Sequence, residues 1–148
     1  MKTNSKVNIV RRIPTLQEFK DLRNDAGWKM PPDSAIQQGL NNTVCGVCAE
    51  SPDKRTIGMG RIVGDGGIQL FITDIIVHKE WQNQGIGNAI MNSLMKYIEE
   101  EVPQYVFVGL FSALNRHTFY EKYGFFTRPN EKYGPGMMLM PEINNTDH

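Results

Sequence analysis

An apolar stretch that leads through a glycine-containing turn into an amphipathic helix constrains this fold more than any other feature. Residues 68–77 read IQLFITDIIV and predict a strand. Its apolar side chains fall on both faces: Ile68, Leu70, Ile72 and Ile76 on one, and Phe71, Ile75 and Val77 on the other. Such a pattern indicates a central strand that is covered from both sides. The helix is predicted from about Gly85 to Glu101, with one apolar stripe.

The rest of the chain alternates between short strand and helix patterns. It predicts strands at 7–12, 43–49, 57–63 and 105–111, helices at 14–25, 31–39 and 113–123, and a final hairpin from Phe125 onwards. This order predicts one domain, residues 1–148, in which helices pack on a mixed sheet.

Charge and hydrophobicity limit the partners and the compartment. The sixteen basic and sixteen acidic residues cancel, which argues against nucleic acid as a partner. No apolar run approaches the roughly 20 residues that cross a bilayer, so no membrane span is expected. The start, MKTNSKVNIVRR, lacks the apolar core of a signal peptide, and the expected compartment is therefore the cytoplasm.

The two cysteines, Cys45 and Cys48, form a C-x-x-C pair. Half a zinc site, a redox pair and two buried thiols are the three interpretations. A closed zinc site needs four ligands, and the sequence has no second pair of this kind. Residues three apart on a strand point to opposite faces, which disfavours a disulfide or a shared metal. The sequence therefore favours buried thiols and predicts no metal.

The turn before the long helix has the features of an anion site. Gly85 and Gly87 let phosphate oxygens approach the backbone, and a helix start offers unpaired N–H groups. Two common phosphate motifs do not fit. A P-loop needs a lysine after its second glycine, where Asn88 stands, and the dinucleotide fingerprint needs glycine at Ile90.

The pattern that does fit is Q/R-x-x-G-x-G/A, which reads here as Gln82, Gly85 and Gly87. Residues 119–125, FYEKYGF, look like a second motif, F-Y-x-x-x-G-F. With these motifs in this order, residues 57–126 resemble the Gcn5-related N-acetyltransferase (GNAT) family. The resemblance implies a mixed, mostly antiparallel sheet flanked by helices, with a splayed central strand pair. It also implies an enzyme that transfers an acetyl group from acetyl-CoA to an amine.

The same resemblance implies how acetyl-CoA is held. Its pantetheine arm would run along the backbone of Ile75, Ile76 and Val77 like an added strand. Its pyrophosphate would lie on the segment that begins at Gln82, against the amides of Asn83, Gln84, Gly85, Ile86, Gly87 and Asn88. The family often has an asparagine seven residues before its tyrosine. Here that position is Ala113, and Asn115 is the candidate for the contact.

Catalysis by resemblance needs an acid, an oxyanion donor and a base. Tyr120 matches the tyrosine that protonates the departing sulfur, although it could instead be an aromatic wedge between helix and sheet. A backbone N–H near Ile76 or Val77 would stabilise the oxyanion. Asp74 is a candidate base, directly or through water, or a structural acceptor near a bulge in its strand. His78 is a weaker candidate for the base.

The acceptor amine would bind between the amino-terminal helices and the late hairpin. Trp28, Tyr133 and Met138 are candidate wall residues, together with Met30 and Met137. The chain resembles the small-amine branch of bacterial acetyltransferases, so a small-molecule amine is the predicted substrate. The alternatives are a protein or peptide acetyltransferase and a non-catalytic acetyl-CoA sensor. The resemblance also allows a homodimer.

Overall fold

The computed structural model of the protein describes residues 6–141, and the chain divides into two compact units, Met1–Phe111 and Ser112–His148. In chain order the elements are β1 (Asn8–Val10), α1 (Leu16–Ala26), α2 (Asp33–Asn41), β2 (Cys45–Glu50), β3 (Thr56–Gly64), β4 (Gln69–Val77), a 3-10 turn (Lys79–Trp81), α3 (Ile86–Glu101), β5 (Phe107–Leu110) and α4 (His117–Glu121). The strands form one sheet in the order β1-β2-β3-β4-β5. Among the strands of residues 6–141, only the β4–β5 pair is parallel, which confirms the predicted mixed, mostly antiparallel sheet.

Two short helices cover one face of the sheet. Thr15 caps α1 through its side chain, and Glu18 returns a bond to the Thr15 backbone, so the predicted start of this helix is confirmed. The helix ends at Gly27, which adopts the left-handed conformation. Apolar side chains of α1 and α2 form a core with two strand residues: Phe19, Leu22, Ile36, Leu40, Met59 and Ile76.

The long helix α3 covers the other face and lies very close to the sheet. It buries Ile86, Ile90, Met91 and Leu94. A methyl group at Gly60 would stand 2.6 Å from a carbon of Ile75 and 2.8 Å from one of Ile90. The missing side chain at Gly60 is therefore what allows helix and sheet to approach so closely.

A β-bulge in β4 changes which side chains face which layer. Met59 pairs with Ile76 and Arg61 pairs with Thr73, so Gly60 alone lies opposite Asp74 and Ile75. Asp74 is the extra residue and has a left-handed backbone, with φ of 57°. Because residues directly opposite share a face, Ile76 lies with Met59 under α1 and α2, whereas Ile72 lies with Ile62 on the α3 face.

The prediction of two apolar faces in β4 is therefore wrong in three respects. The bulge places Ile76 on the opposite face from Leu70 and Ile72. It likewise places Ile75 and Val77 on the α3 face, opposite from Phe71. Ile68 precedes the strand and is 68% exposed.

The later elements are shorter than predicted. The strand expected at 105–111 is reduced to Phe107–Leu110, and the helix expected at 113–123 to the five residues of α4. The hairpin expected from Phe125 is wrong for residues 125–141, which contain no strand. The rest of that prediction lies outside the described residues, as do residues 1–5 of the segment considered as a signal peptide.

The two cysteines are buried, free thiols on opposite faces of β2, as the spacing predicts. Cys45 pairs with Ile62 on the α3 face, and Cys48 pairs with Met59 on the other. Burial raises the pKa of the Cys48 thiol to about 12 and also raises that of Cys45, so both stay protonated at neutral pH. Across residues 6–141, no helix combines the length and the apolar character that a membrane crossing requires.

Candidate active site

The second half of β4 presents an open backbone edge. The parallel strand β5 pairs with β4 only from Gln69 to Ile72, although β4 continues to Val77. Within residues 6–141 no other strand pairs with this side of residues 73–77. Strand β5 ends at Leu110, opposite Ile72, so the second half of β4 extends past it, and a ligand with amide groups can pair with this edge as an added strand would.

The carboxylate of Asp74 is buried at the bulge between two arginines. Arg23 of α1 donates to Oδ1 at 3.1 Å, and Arg61 of β3 donates twice to Oδ2 at 2.9 and 2.8 Å. Only 8% of Asp74 is exposed. Both oxygens of this carboxylate are engaged by guanidinium groups, which favours the structural alternative raised for Asp74.

His78 holds the end of β4 against α1. Its Nδ1 accepts the backbone N–H of Glu80 at 3.2 Å, so its proton lies on Nε2, which is 3.2 Å from Oδ1 of Asp25. The other oxygen of Asp25 accepts the backbone N–H of Lys79 at 2.8 Å. Both ring nitrogens are used in this way, which favours a structural role for His78.

The loop that follows turns the chain sharply into α3. The side-chain amide of Gln82 donates to the carbonyl of Val77 at 3.0 Å and ties the loop to the end of β4. Asn83 and Gly85 adopt left-handed backbones, with φ of 62° and 81°. Gly85 is the N-cap of α3 and therefore makes no side-chain cap.

The first turn of α3 receives no side-chain cap from Gly85. Ala89 donates the first backbone bond within the helix, to Gly85 at 3.0 Å, and the N–H groups of Ile86 and Gly87 precede it. No acidic residue lies in this turn, so nothing in it opposes a negative ligand. The open edge of β4 and this helix start are joined by a single short loop, which suits an extended ligand with a phosphate end.

Trp28 lies just after the end of α1 and contacts Arg23. Its backbone N–H donates to the Arg23 carbonyl at 3.0 Å, and the Arg23 guanidinium lies 5.3 Å from the centre of the indole ring. Trp28 is 39% exposed. Through Arg23 this candidate wall residue is connected to Asp74 and the open edge of β4.

Tyr120 belongs to the second unit, in α4. Its ring meets Phe119 and Phe125 edge-on, with centroids 5.0 and 6.5 Å away. Burial raises the pKa of its phenol, which therefore stays protonated at neutral pH and able to donate a proton. Asn115, with φ of 63°, lies exposed in the turn before this helix.

The loop after α4 is held by its own contacts. Oδ1 of Asn130 accepts the backbone N–H groups of Lys132 and Tyr133 at 2.9 and 2.8 Å. The ring of Tyr133 stacks on Phe126 and contacts the guanidinium of Arg128. Met138 is 74% exposed, and Met137 is exposed as well.

Sequence reasoning did not identify Arg23 and Arg61 as site residues. A signal for them existed, because an aspartate within an apolar strand requires a cationic or hydrogen-bonding partner. The sequence does not show which arginines pair with Asp74, because these partners lie 51 and 13 positions away in the chain. Among residues 6–141 no group of three or more His, Cys, Asp or Glu side chains is arranged to hold a metal ion.

Comparison with known proteins gives the family. Residues 27–141 match the acetyltransferase (GNAT) domain model. A probable acetyltransferase of unknown function from meticillin-resistant Staphylococcus aureus is 36% identical and has a TM-score of 0.80, over 90% of this chain and 98% of that one. A GNAT family acetyltransferase from Streptococcus pneumoniae is 25% identical with a TM-score of 0.75, over 93% and 99%.

A curated relative, an uncharacterized N-acetyltransferase (ycf52) of Porphyra purpurea, is 25% identical over 78% of this chain and 67% of its own length. The chain thus spans about two thirds of that protein. It belongs to the GNAT family of N-acetyltransferases, whose members take acetyl-CoA as acetyl donor.

Proposed function

We propose that this protein acetylates a primary amine of a small molecule, with acetyl-CoA bound along the open edge of β4 and the start of α3. The observation that carries the proposal is the continuity of these two surfaces. The edge after Ile72 has no strand partner among the described residues, and the loop from Gln82 leads from it to an uncapped helix start without acidic residues. Pantetheine amides suit the first surface and a pyrophosphate suits the second.

The coenzyme contacts would be mainly backbone contacts. Ile75, Ile76 and Val77 would pair with the pantetheine arm, and the amides of residues 83–88 would bind the pyrophosphate. The side chain of Gln82 is already engaged with the Val77 carbonyl, so its role would be to fix the loop. Asn115 remains a candidate for a further contact to the arm.

The amine would attack the thioester directly. A C–N bond forms, the C–S bond breaks, and the amine loses a proton to a base or to water. A backbone N–H near Ile76 or Val77 would donate to the oxyanion of the tetrahedral intermediate. Tyr120 would give its phenolic proton to the departing thiolate. Asp74, held by two arginines, would orient the bulge, and its role as the base is the weaker alternative.

Trp28, Tyr133 and Met138 would form the acceptor wall. Within its own unit Trp28 is held by Arg23, and within the other unit the Tyr133 loop is held by its own contacts. We place the activity in the cytoplasm and retain a homodimer as an expectation.

Titration calorimetry with acetyl-CoA tests the donor site, and thiol release with arylalkylamines, polyamines, amino sugars and peptides tests the acceptor. Micromolar binding with turnover on a small amine would support the proposal. Turnover on peptides alone would make the protein a peptide acetyltransferase, and binding without any turnover would favour a sensor. No binding of acetyl-CoA would overturn the donor site itself.

A further inference from the structure

One side chain, Arg23, joins the segment that follows α1 to the bulge in β4. Its Nη1 donates to Asp74 at 3.1 Å, while Nε and Nη2 both donate to the carbonyl of Lys29 at 3.2 and 2.6 Å. The guanidinium carbon lies 5.5 Å from the centre of the Phe19 ring and 5.3 Å from that of the Trp28 ring. The side chain is largely buried.

These contacts fix the position of Trp28. The Trp28 backbone is bonded to the Arg23 carbonyl, its ring lies against the Arg23 guanidinium, and the next carbonyl, of Lys29, is bonded by the same group. A residue between two such anchors keeps one orientation although more than a third of it is exposed.

The second arginine at Asp74, Arg61, has different hydrogen-bond partners. Arg61 donates to the carbonyl of Gly39, in α2, at 3.1 Å and to the hydroxyl of Thr43, in the turn between α2 and β2, at 2.8 Å. The carboxylate of Asp74 therefore pairs with Arg61 of β3, which is bonded to Gly39 and Thr43, and with Arg23 of α1, which is bonded to the segment of Trp28. Among the described residues, Arg23 is the one side chain shown to contact both Asp74 and Trp28.

We propose that Arg23 is a positioning residue that sets the acceptor wall at Trp28 against the donor strand at Asp74. The inference rests on the proposed function in that Trp28 is taken to contact the acceptor. It requires the guanidinium, because a lysine could pair with Asp74 but could not also donate two bonds to the Lys29 carbonyl and lie against both rings.

The first test does not depend on activity. In a Trp81→Phe background Trp28 is the sole tryptophan, since the chain has two. In this background Arg23→Gln and Arg23→Lys should each raise the acrylamide quenching constant of Trp28 by about twofold, because the ring loses its cover. Arg11→Gln, on an exposed arginine that contacts Tyr97, is the matched control and should leave it unchanged. An acrylamide quenching constant of Trp28 that stays at its starting value in Arg23→Lys or Arg23→Gln would overturn the proposal.

The second test uses an acceptor found by the thiol-release panel. Arg23→Gln and Trp28→Ala should each raise the acceptor KM by roughly tenfold, and the double variant should be no worse than the poorer single one. The Kd of acetyl-CoA should change less than about twofold in all three. If the fold-increase in KM of the double variant equals the product of the two single increases, Arg23 acts independently of Trp28, and the proposal is contradicted. If no acceptor is found, the proposed function fails, and the quenching test alone decides the role of Arg23.

Discussion

Arg61 and Asp74 lie on neighbouring strands at the bulge, and two nitrogens of the Arg61 guanidinium donate to one oxygen of the Asp74 carboxylate, at 2.9 and 2.8 Å. The other carboxylate oxygen accepts from Arg23. Two buried cations thus share one buried anion, and this arrangement keeps an unusual left-handed residue in place within a central strand. The contribution of Asp74 to stability and its candidate role as the catalytic base can be measured separately.

Asp74→Asn should lower the free energy of unfolding by about 3 kcal/mol, because it leaves two buried guanidinium groups without their counter-ion. Urea denaturation measures this loss. Asp21→Asn, at an exposed position on α1, is the control and should change stability by less than about 0.5 kcal/mol.

The same variant tests the base. If Asp74 only orients the bulge, turnover of the folded Asp74→Asn protein should fall by less than about tenfold, whereas loss of a general base typically costs 10²–10⁴-fold. A loss in the larger range, with acetyl-CoA affinity retained, would restore Asp74 as the base.

Tyr120→Phe should lower turnover by at least about tenfold and leave the affinity for acetyl-CoA nearly unchanged, because it removes the phenolic proton and keeps the ring. Steady-state thiol release and calorimetry measure the two quantities. Tyr123→Phe, three residues further along the same segment, is the matched control and should retain activity. Equal turnover in wild type and Tyr120→Phe would remove Tyr120 from the mechanism.

Gly87→Glu should abolish binding of acetyl-CoA, since it brings a bulky negative side chain to the helix start that is to hold a pyrophosphate. Calorimetric titration measures the effect. Asn92→Glu adds the same charge to an exposed position of α3, beyond its first turn, and should bind normally. Normal binding by Gly87→Glu would mean that the pyrophosphate lies elsewhere.

Gly60→Ala should destabilise the protein by roughly 1–3 kcal/mol, because the added carbon would stand 2.6 Å from a side-chain carbon of Ile75 and 2.8 Å from one of Ile90. In contrast, Gly39→Ala should stabilise it by about 0.5–1 kcal/mol, since this helical glycine has open space at its Cβ position. Thermal and urea denaturation of the two variants compare the same substitution in closed and open surroundings. Similar stabilities would contradict the close packing of α3 on the sheet.

Stability should also depend on pH through Glu18. Hydrogen bonds from Arg12, then from Thr56 and Thr15, lower the pKa of Glu18 from 4.5 to about 2, although burial opposes them. Because the folded-state pKa is below the unfolded one, the stabilisation is complete above about pH 4.5 and is lost as the pH falls towards 2. Urea denaturation between pH 6 and 3 should therefore show a shallower decline for Glu18→Gln than for wild type. Parallel declines would mean that Glu18 does not titrate in this way.

Local signals in the sequence were sufficient for the donor side of the site. The strand before Val77, the glycine turn and the start of α3 depend on periodicity and on residues that favour or end a helix, and each was found within a few positions. The start of α1 near Thr15 was likewise predicted from local residues, and the structure adds the capping box between Thr15 and Glu18.

Long-range features could not be predicted in this way. A bulge near Asp74 was expected only through the family resemblance, because its exact position depends on pairing with β3, and a strict period of two assigned Ile76 to the wrong face. The arginines that hold Asp74 come from distant positions of the chain. The late hairpin was expected from composition, but strand formation depends on a pairing partner, which residues 125–141 do not show.

The bulge at Asp74 also bears on how this strand can change during evolution. The alternation of side chains between the two faces of the sheet shifts by one residue at the bulge. Deleting a single residue here would therefore move Ile76 from the face covered by α1 to the face covered by α3. Substitutions at 75–77 leave the backbone edge intact, whereas the insertion or deletion of one residue would exchange the faces on which the side chains of residues 75–77 lie. Variation in β4 should therefore occur by replacement at constant length, while acceptor preference diverges through segments such as the one around Trp28.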